Sequence, residues 1–150
     1  MRAIRVTGFC VAVCLLFTVS LSAQSAPDKA YLQKIWDDWQ TLNADTLSQY
    51  YAQGPHVFFD IAPLKYDSWD QYKPTIAADL ANYKSAKFKI NEDAQVHKAS
   101  DTLYWCTATI DSDMWTKAGK EEKNTFRWTV LFQKMNGKWI IVHEHVSMSQ

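Results

Sequence analysis

The chain has 150 residues, 16 basic and 16 acidic side chains and a formal charge of zero at neutral pH. That balance excludes a nucleic-acid surface built on bulk positive charge, and three cysteines are too few for a disulfide-stapled scaffold. Seven Trp, seven Tyr and seven Phe supply the area for one packed core.

Arg2 and Arg5 precede an apolar run from Phe9 to Val19, followed by the small residues Ser20, Ser22, Ala23, Ser25 and Ala26. This is the order of a secretory signal peptide, read as residues 1–25 with cleavage within 22–26, and it leaves one domain over 26–150. The run is shorter than the roughly 20 apolar residues of a spanning helix. Val13 precedes Cys14 where a lipidated cysteine has a small residue, so no membrane anchor is expected. The mature chain is expected to be soluble and exported, periplasmic or secreted. Cleavage would leave Cys106 without a disulfide partner, 14 basic side chains against 16 acidic, and Arg127 as the only arginine.

Ser25-Ala-Pro-Asp28 reads as a helix start with a capping serine. Leu32, Ile35, Trp36, Trp39 and Leu42 then recur at helical spacing and predict an amphipathic helix of about four turns. Asn43-Ala-Asp45 breaks it. Thr46 to Ala52 predicts a short second helix ended by Gly54-Pro55, and His56 to Ile61 a strand. Ala62 to Lys65 turns. Ser68-Trp-Asp-Gln71 opens a third helix toward Tyr83, which Pro74 should kink or divide.

From Lys87 the pattern changes to period two: Phe88 to Glu92, Leu103 to Asp111, Lys123 to Lys134, and Lys138 to Ser147. These predict four antiparallel strands. Asn136-Gly137 is the pair that a tight hairpin prefers, and Lys117-Ala-Gly119-Lys120 supplies the other turn. The architecture is α+β, with helices covering the concave face of a curved meander.

Strict alternation in the last strand sends Trp139, Ile141, His143, His145 and Ser147 to one face. Ile140, Val142, Val146 and Met148 fall on the other, so both faces are expected to be covered. Arg127 sits on the neighbouring strand.

These segments together, from Tyr50-Tyr51 and Val57-Phe-Phe-Asp60 through Tyr66-Asp-Ser-Trp-Asp-Gln-Tyr72 to Arg127-x-Thr129 and Trp139-Ile-Ile-Val-His-Glu-His145-Val-Ser147, resemble the SnoaL-like branch of the nuclear-transport-factor-2-like (NTF2-like) superfamily. The resemblance covers nearly all of the mature chain. It implies a cone-shaped fold, a homodimer through the convex sheet face, and a pocket that in different members serves isomerases, dehydratases or plain binding modules. The aspartate that shuttles protons in ketosteroid isomerase lies in a strand resembling Val57-Phe-Phe-Asp60, which implies a base role for Asp60. That enzyme's oxyanion partners fall near Asp38 and Val130 and are not reproduced, which argues against a steroid isomerase.

Asp60 is the candidate base, since a carboxylate among apolar residues loses hydration and its pKa rises. His145, favoured by the resemblance over His143, is the second candidate catalytic group. Arg127, His143, Ser147, Tyr51, Trp69 and Trp105 are the candidate ligand contacts. Asp60, Arg127 and His145 are expected to converge on one cavity. Two histidines two apart on a strand lack a third ligand, so no metal is expected, and no cofactor is called for. Ser147 has no glycine elbow or acid-base relay, which argues against a nucleophilic serine.

Three functions fit these residues. The first is an exported domain binding a small, partly apolar molecule. The second is an isomerase or dehydratase that moves a proton next to a carbonyl through Asp60 or His145. The third is a non-catalytic homodimeric interaction module.

Overall fold

The computed structural model describes residues 24–148. The leader over 1–25 lies almost wholly outside them. Three helices, α1 (Lys29–Trp39), α2 (Ala44–Leu47) and α3 (Trp69–Leu80), pack on one curved sheet. Its seven strands are β1 (Pro55–Phe59), β2 (Tyr66–Ser68), β3 (Tyr83–Ile90), β4 (Gln95–Lys98), β5 (Leu103–Thr116), β6 (Glu121–Met135) and β7 (Lys138–Met148). The sheet order is β2-β1-β7-β6-β5-β3, and β4 also pairs with β5. The fold is α+β, as the periodicity and the resemblance imply.

Local chemistry sets most boundaries. Asp28, not Ser25, caps α1, its Oδ1 accepting from the Tyr31 N–H at 2.7 Å, so the helix has three turns rather than four. Ser68 caps α3 as expected, its Oγ accepting from the Gln71 N–H. Pro74 lies inside α3 without dividing it. It removes a single backbone donor, while Trp69, Tyr72, Ile76 and Leu80 hold the helix to the core. Asn136 and Gly137 have φ of 50° and 79°, the left-handed pair that closes β6–β7.

Two differences from the sequence pattern matter. The second helix ends at Leu47, and Tyr51 instead bridges Ile141 of β7 in parallel. The Ile141 N–H donates to the Tyr50 carbonyl at 2.7 Å and the Ala52 N–H to the Ile141 carbonyl at 2.9 Å. β1 then continues along the same edge, placing Phe58 beside Glu144 and Phe59 beside His145. The sheet is therefore mixed and carries three strands beyond the expected meander.

Gln33 fastens α1 across the opposite edge. Its Nε2 donates to the Phe88 carbonyl at 3.0 Å and its Oε1 accepts from the Ile90 N–H at 2.8 Å. Both groups belong to edge strand β3, whose polar backbone would otherwise want another partner. With α1 held there, Trp36 packs against Phe88, Phe126 and Trp128, with ring centroids 5.2 to 5.4 Å apart.

Candidate active site

The inner face of the sheet is defined by Cys106, Ala108 and Ile110 on β5 and by Phe126, Trp128, Val130 and Phe132 on β6, all buried. In the first part of β7, Trp139 and Ile141 join that face. The pairing then slips: Phe132 stands opposite Ile141, but Leu131 stands opposite His143. Val142 is the extra residue of a β-bulge, and it reverses the parity of the rest of the strand. Beyond it, Glu144 and Val146 point inward and are buried, while His145 is exposed.

The bulge dissolves two expectations. His143, His145 and Ser147 do not share a face with Trp139 and Ile141. Nor is β7 apolar on both faces, because its inward set is Trp139, Ile141, Glu144 and Val146.

Under α1 and α3, between the helices and the sheet, lies a cavity of ≈ 270 Å³. Asp60, Tyr72, Tyr83 and Glu144 bring polar groups to its wall, set among Trp36, Trp39, Phe88 and Phe126. Ile61, Ala62 and the exposed Asp79 also line it. A larger open groove of ≈ 540 Å³ crosses the far end of β3, β5 and β6. Lysines and aspartates alternate along that groove, as Lys87, Lys89, Lys123, Asp111 and Asp113, which is the pattern of a solvated strand surface.

Glu144 is the most strongly perturbed acid of the cavity. Its Oε1 accepts from the Tyr51 hydroxyl at 2.8 Å and its Oε2 from Trp128 Nε1–H at 2.9 Å. Burial nevertheless pushes its pKa up to about 7, against the lowering effect of those donors, and the charge of Asp60 adds to the rise. Asp60 follows β1 on the inward side. Its Oδ2 accepts from the Tyr72 hydroxyl at 2.9 Å and its Oδ1 from the Ile61 N–H at 2.7 Å. Burial raises its pKa too, while the two hydrogen bonds oppose the rise. Tyr51 and Tyr72 are held well above the ordinary phenol range, chiefly by burial, and so remain donors.

The other sequence candidates lie elsewhere. Tyr51 is buried outside the cavity lining, bonded to Glu144, edge-on to Tyr72 at 5.9 Å and stacked at 4.2 Å on the buried Trp69. Arg127 pairs with Thr109 and Ser147 on the outer face and is exposed. There it borders a shallow hollow lined also by Asp93 and Thr107. His143 Nδ1 lies 2.7 Å from the Val57 carbonyl, and Phe59 meets both histidine rings edge-on. Trp105 also faces outward, stacked on His97 at 3.9 Å. The expected convergence of Asp60, Arg127 and His145 therefore does not occur, because the bulge and the parity of β6 turn the last two away.

Glu144 is the polar site residue that the pattern did not single out. The signal existed: Glu144 interrupts the set Ile140, Val142, Val146 and Met148, a charge where every neighbour two residues away is apolar. Chemically, two carboxyl groups raised by burial in one apolar cavity, each accepting from a neutral tyrosine, have the chemistry to hold and release protons.

A mixed, curved sheet covered on one face by helices is the NTF2-like fold. The model of the SnoaL-like domain matches residues 29–149, and the chain belongs to that family. No curated protein sequence matches it. Among solved structures it is similar to an NTF2-like superfamily protein from Salmonella enterica, at 14% identity over 81% of this chain and 91% of that one, with a TM-score of 0.69. A candidate scytalone dehydratase from Novosphingobium aromaticivorans shares 8% identity over 79% of each chain, with a TM-score of 0.71. A candidate dehydratase from Streptomyces avermitilis shares 15% over 81% of this chain and 94% of that one, with a TM-score of 0.68.

Proposed function

We propose that the cavity binds a small, partly apolar molecule and transfers a proton on it next to a carbonyl, as an isomerase or dehydratase does. The observation that carries this reading is Glu144, fully buried with a pKa of about 7, in the same cavity as Asp60. A group with that pKa holds and releases a proton near neutrality, which suits general acid-base catalysis. Asp60, nearer the segment Ile61–Ala62, is the base that takes the proton from carbon. Glu144 is its partner acid deeper in the cavity. His145 has no part in this reading, since it lies on the other face.

Deuterium uptake from D2O into the carbon next to a carbonyl tests the chemistry directly. Asp60→Asn should abolish uptake and leave affinity nearly intact, because the amide keeps shape and hydrogen bonding without the base. If affinity alone changes and no carbonyl compound exchanges, the domain is a binding module.

The leader supports an activity outside the cytoplasm. Intact mass of the exported protein should show a chain beginning between Ala23 and Pro27. An unprocessed Met1 or an acylated Cys14 would overturn export in this form.

A further inference from the structure

On the face of the sheet turned away from the cavity, Arg127 and Asp93 share a hollow of ≈ 260 Å³. Its floor is the paired backbone of β5 and β6 at Ala108 and Trp128, whose side chains are buried on the inner face. Alternation therefore stands Thr107 and Thr109 of β5, and Arg127 and Thr129 of β6, outward around that floor. Thr107 lies opposite Thr129 and Thr109 opposite Arg127, near enough across the strands for these side chains to meet one small ligand.

The remaining wall is the turn between β3 and β4, which fills the gap those two strands leave along β5. The Asn91 N–H donates to the Thr109 carbonyl at 3.0 Å, and its Nδ2–H to Thr109 Oγ1 at 3.1 Å. Asp93 Oδ1 accepts from the Thr109 N–H at 3.0 Å. These bonds pin Asp93 at the rim and leave the Thr109 hydroxyl proton, on an oxygen that already accepts, to be donated elsewhere.

Both charges of the hollow stay open. Every ion pair among the described residues is made by a lysine, and neither Arg127 nor Asp93 enters one. A guanidinium takes a carboxylate through two parallel hydrogen bonds, and a carboxylate takes an ammonium. A simple anion would face Asp93 uncompensated, and a simple cation would face Arg127. The volume lies just below the range of about 300–1,000 Å³ usual for drug-sized ligands, which suits a smaller molecule.

We propose that this hollow binds a small zwitterion, an α-amino acid whose carboxylate sits on Arg127 and the Thr109 hydroxyl and whose ammonium sits on Asp93. The site is independent of the proton-transfer reading, since hollow and cavity lie on opposite faces of the sheet.

Three probes of one skeleton test it: L-alanine, N-acetyl-L-alanine, which lacks the ammonium, and L-alaninamide, which lacks the carboxylate. Binding is read from the backbone amide shifts of Thr109, Arg127 and Thr129, on protein of a single mass by light scattering. Alanine should saturate them with a Kd on the order of 1 mM, and each blocked probe should bind about ten-fold more weakly, the loss of one charge-assisted hydrogen bond. Asp93→Asn keeps the oxygen that holds the Thr109 N–H and removes the charge. It should weaken alanine about ten-fold and leave N-acetylalanine no weaker. Arg127→Gln should weaken both alanine and N-acetylalanine and leave alaninamide no weaker. Both residues are exposed, so neither change removes core packing.

Equal binding of the three probes overturns the zwitterion site, as does an alanine affinity indifferent to both variants. Absence of saturable shifts with every probe overturns the hollow as a binding site. N-acetylalanine binding more tightly than alanine, and gaining further in Asp93→Asn, marks an anion site and overturns the role of Asp93.

Discussion

Within β7 the inner and outer faces carry opposite chemistries from one continuous sequence. Glu144 points into an apolar cavity, loses its water, and has its pKa pushed up to about 7. His143, His145 and Ser147 point outward, where His145 is exposed and Phe59 covers part of both rings. The residue types alone would have assigned the acid-base role the other way, since histidine titrates near neutrality without help. What decides is which face a side chain occupies: burial moves a glutamate's pKa up toward neutrality.

The largest test of that contrast is activity. Replacing Asp60 by Asn or Glu144 by Gln should lower proton transfer by about 10²–10⁴-fold, whereas Arg127→Ala or His145→Ala on the outer face should change it by less than about two-fold. Loss of turnover in His145→Ala, with the fold intact by circular dichroism, reverses the assignment of the two faces.

The pH dependence of stability comes next. The folded-state pKa of Glu144 lies above its unfolded value, so its contribution is fully present below about pH 4.5 and is lost as pH rises through about 7. From the ordinary 4.5 to about 7, this amounts to about 3 kcal/mol, and the raised Asp60 acts in the same direction. Urea melts from pH 4 to pH 8 should show the decline, and Glu144→Gln should remove most of it. That variant also leaves Tyr51 or Trp128 without an acceptor, costing roughly 1–3 kcal/mol at acid pH. The two stability curves should therefore approach or cross as pH rises. Parallel curves would mean that Glu144 is not the titrating group.

A third test addresses the bulge. Deleting Val142 leaves Ile141 inward, His143 outward and Glu144 inward in plain alternation, so the protein should fold at a cost of about 1–3 kcal/mol with Glu144 still titrating near neutrality. A histidine titration shifted by burial in this variant would show that the faces had exchanged.

The smallest effect concerns assembly. The outer face, with Trp105 40% exposed and Leu131 and Phe59 half-buried, is proposed as the homodimer surface that the family resemblance implies. Light scattering should give twice the chain mass, and Leu131→Lys should reduce it to one. A monomeric parent protein at micromolar concentration rejects this surface.

The sequence by itself determined the α+β class, the apolar stripe of α1, the Ser68 cap and the Asn136-Gly137 hairpin. Each of these depends on residues a few positions apart, and local sterics and hydrogen bonding settle them. It also singled out Asp60, which lines the cavity. Tertiary structure alone decided the rest of the site. The bulge at Val142 is a property of how β7 pairs with β6, and one extra residue reverses every side chain after it, so period-two reading was right before Val142 and inverted beyond it. The partnership of Glu144 with Tyr51 and Trp128 joins positions up to 93 residues apart, and no local pattern encodes a contact made only when the helices close over the sheet. Arg127 stood out as the only arginine among the described residues, yet β6 places its apolar neighbours Phe126 and Trp128 inward and so turns it to the outer face, because burying aromatic rings outweighs any placement of a single charge.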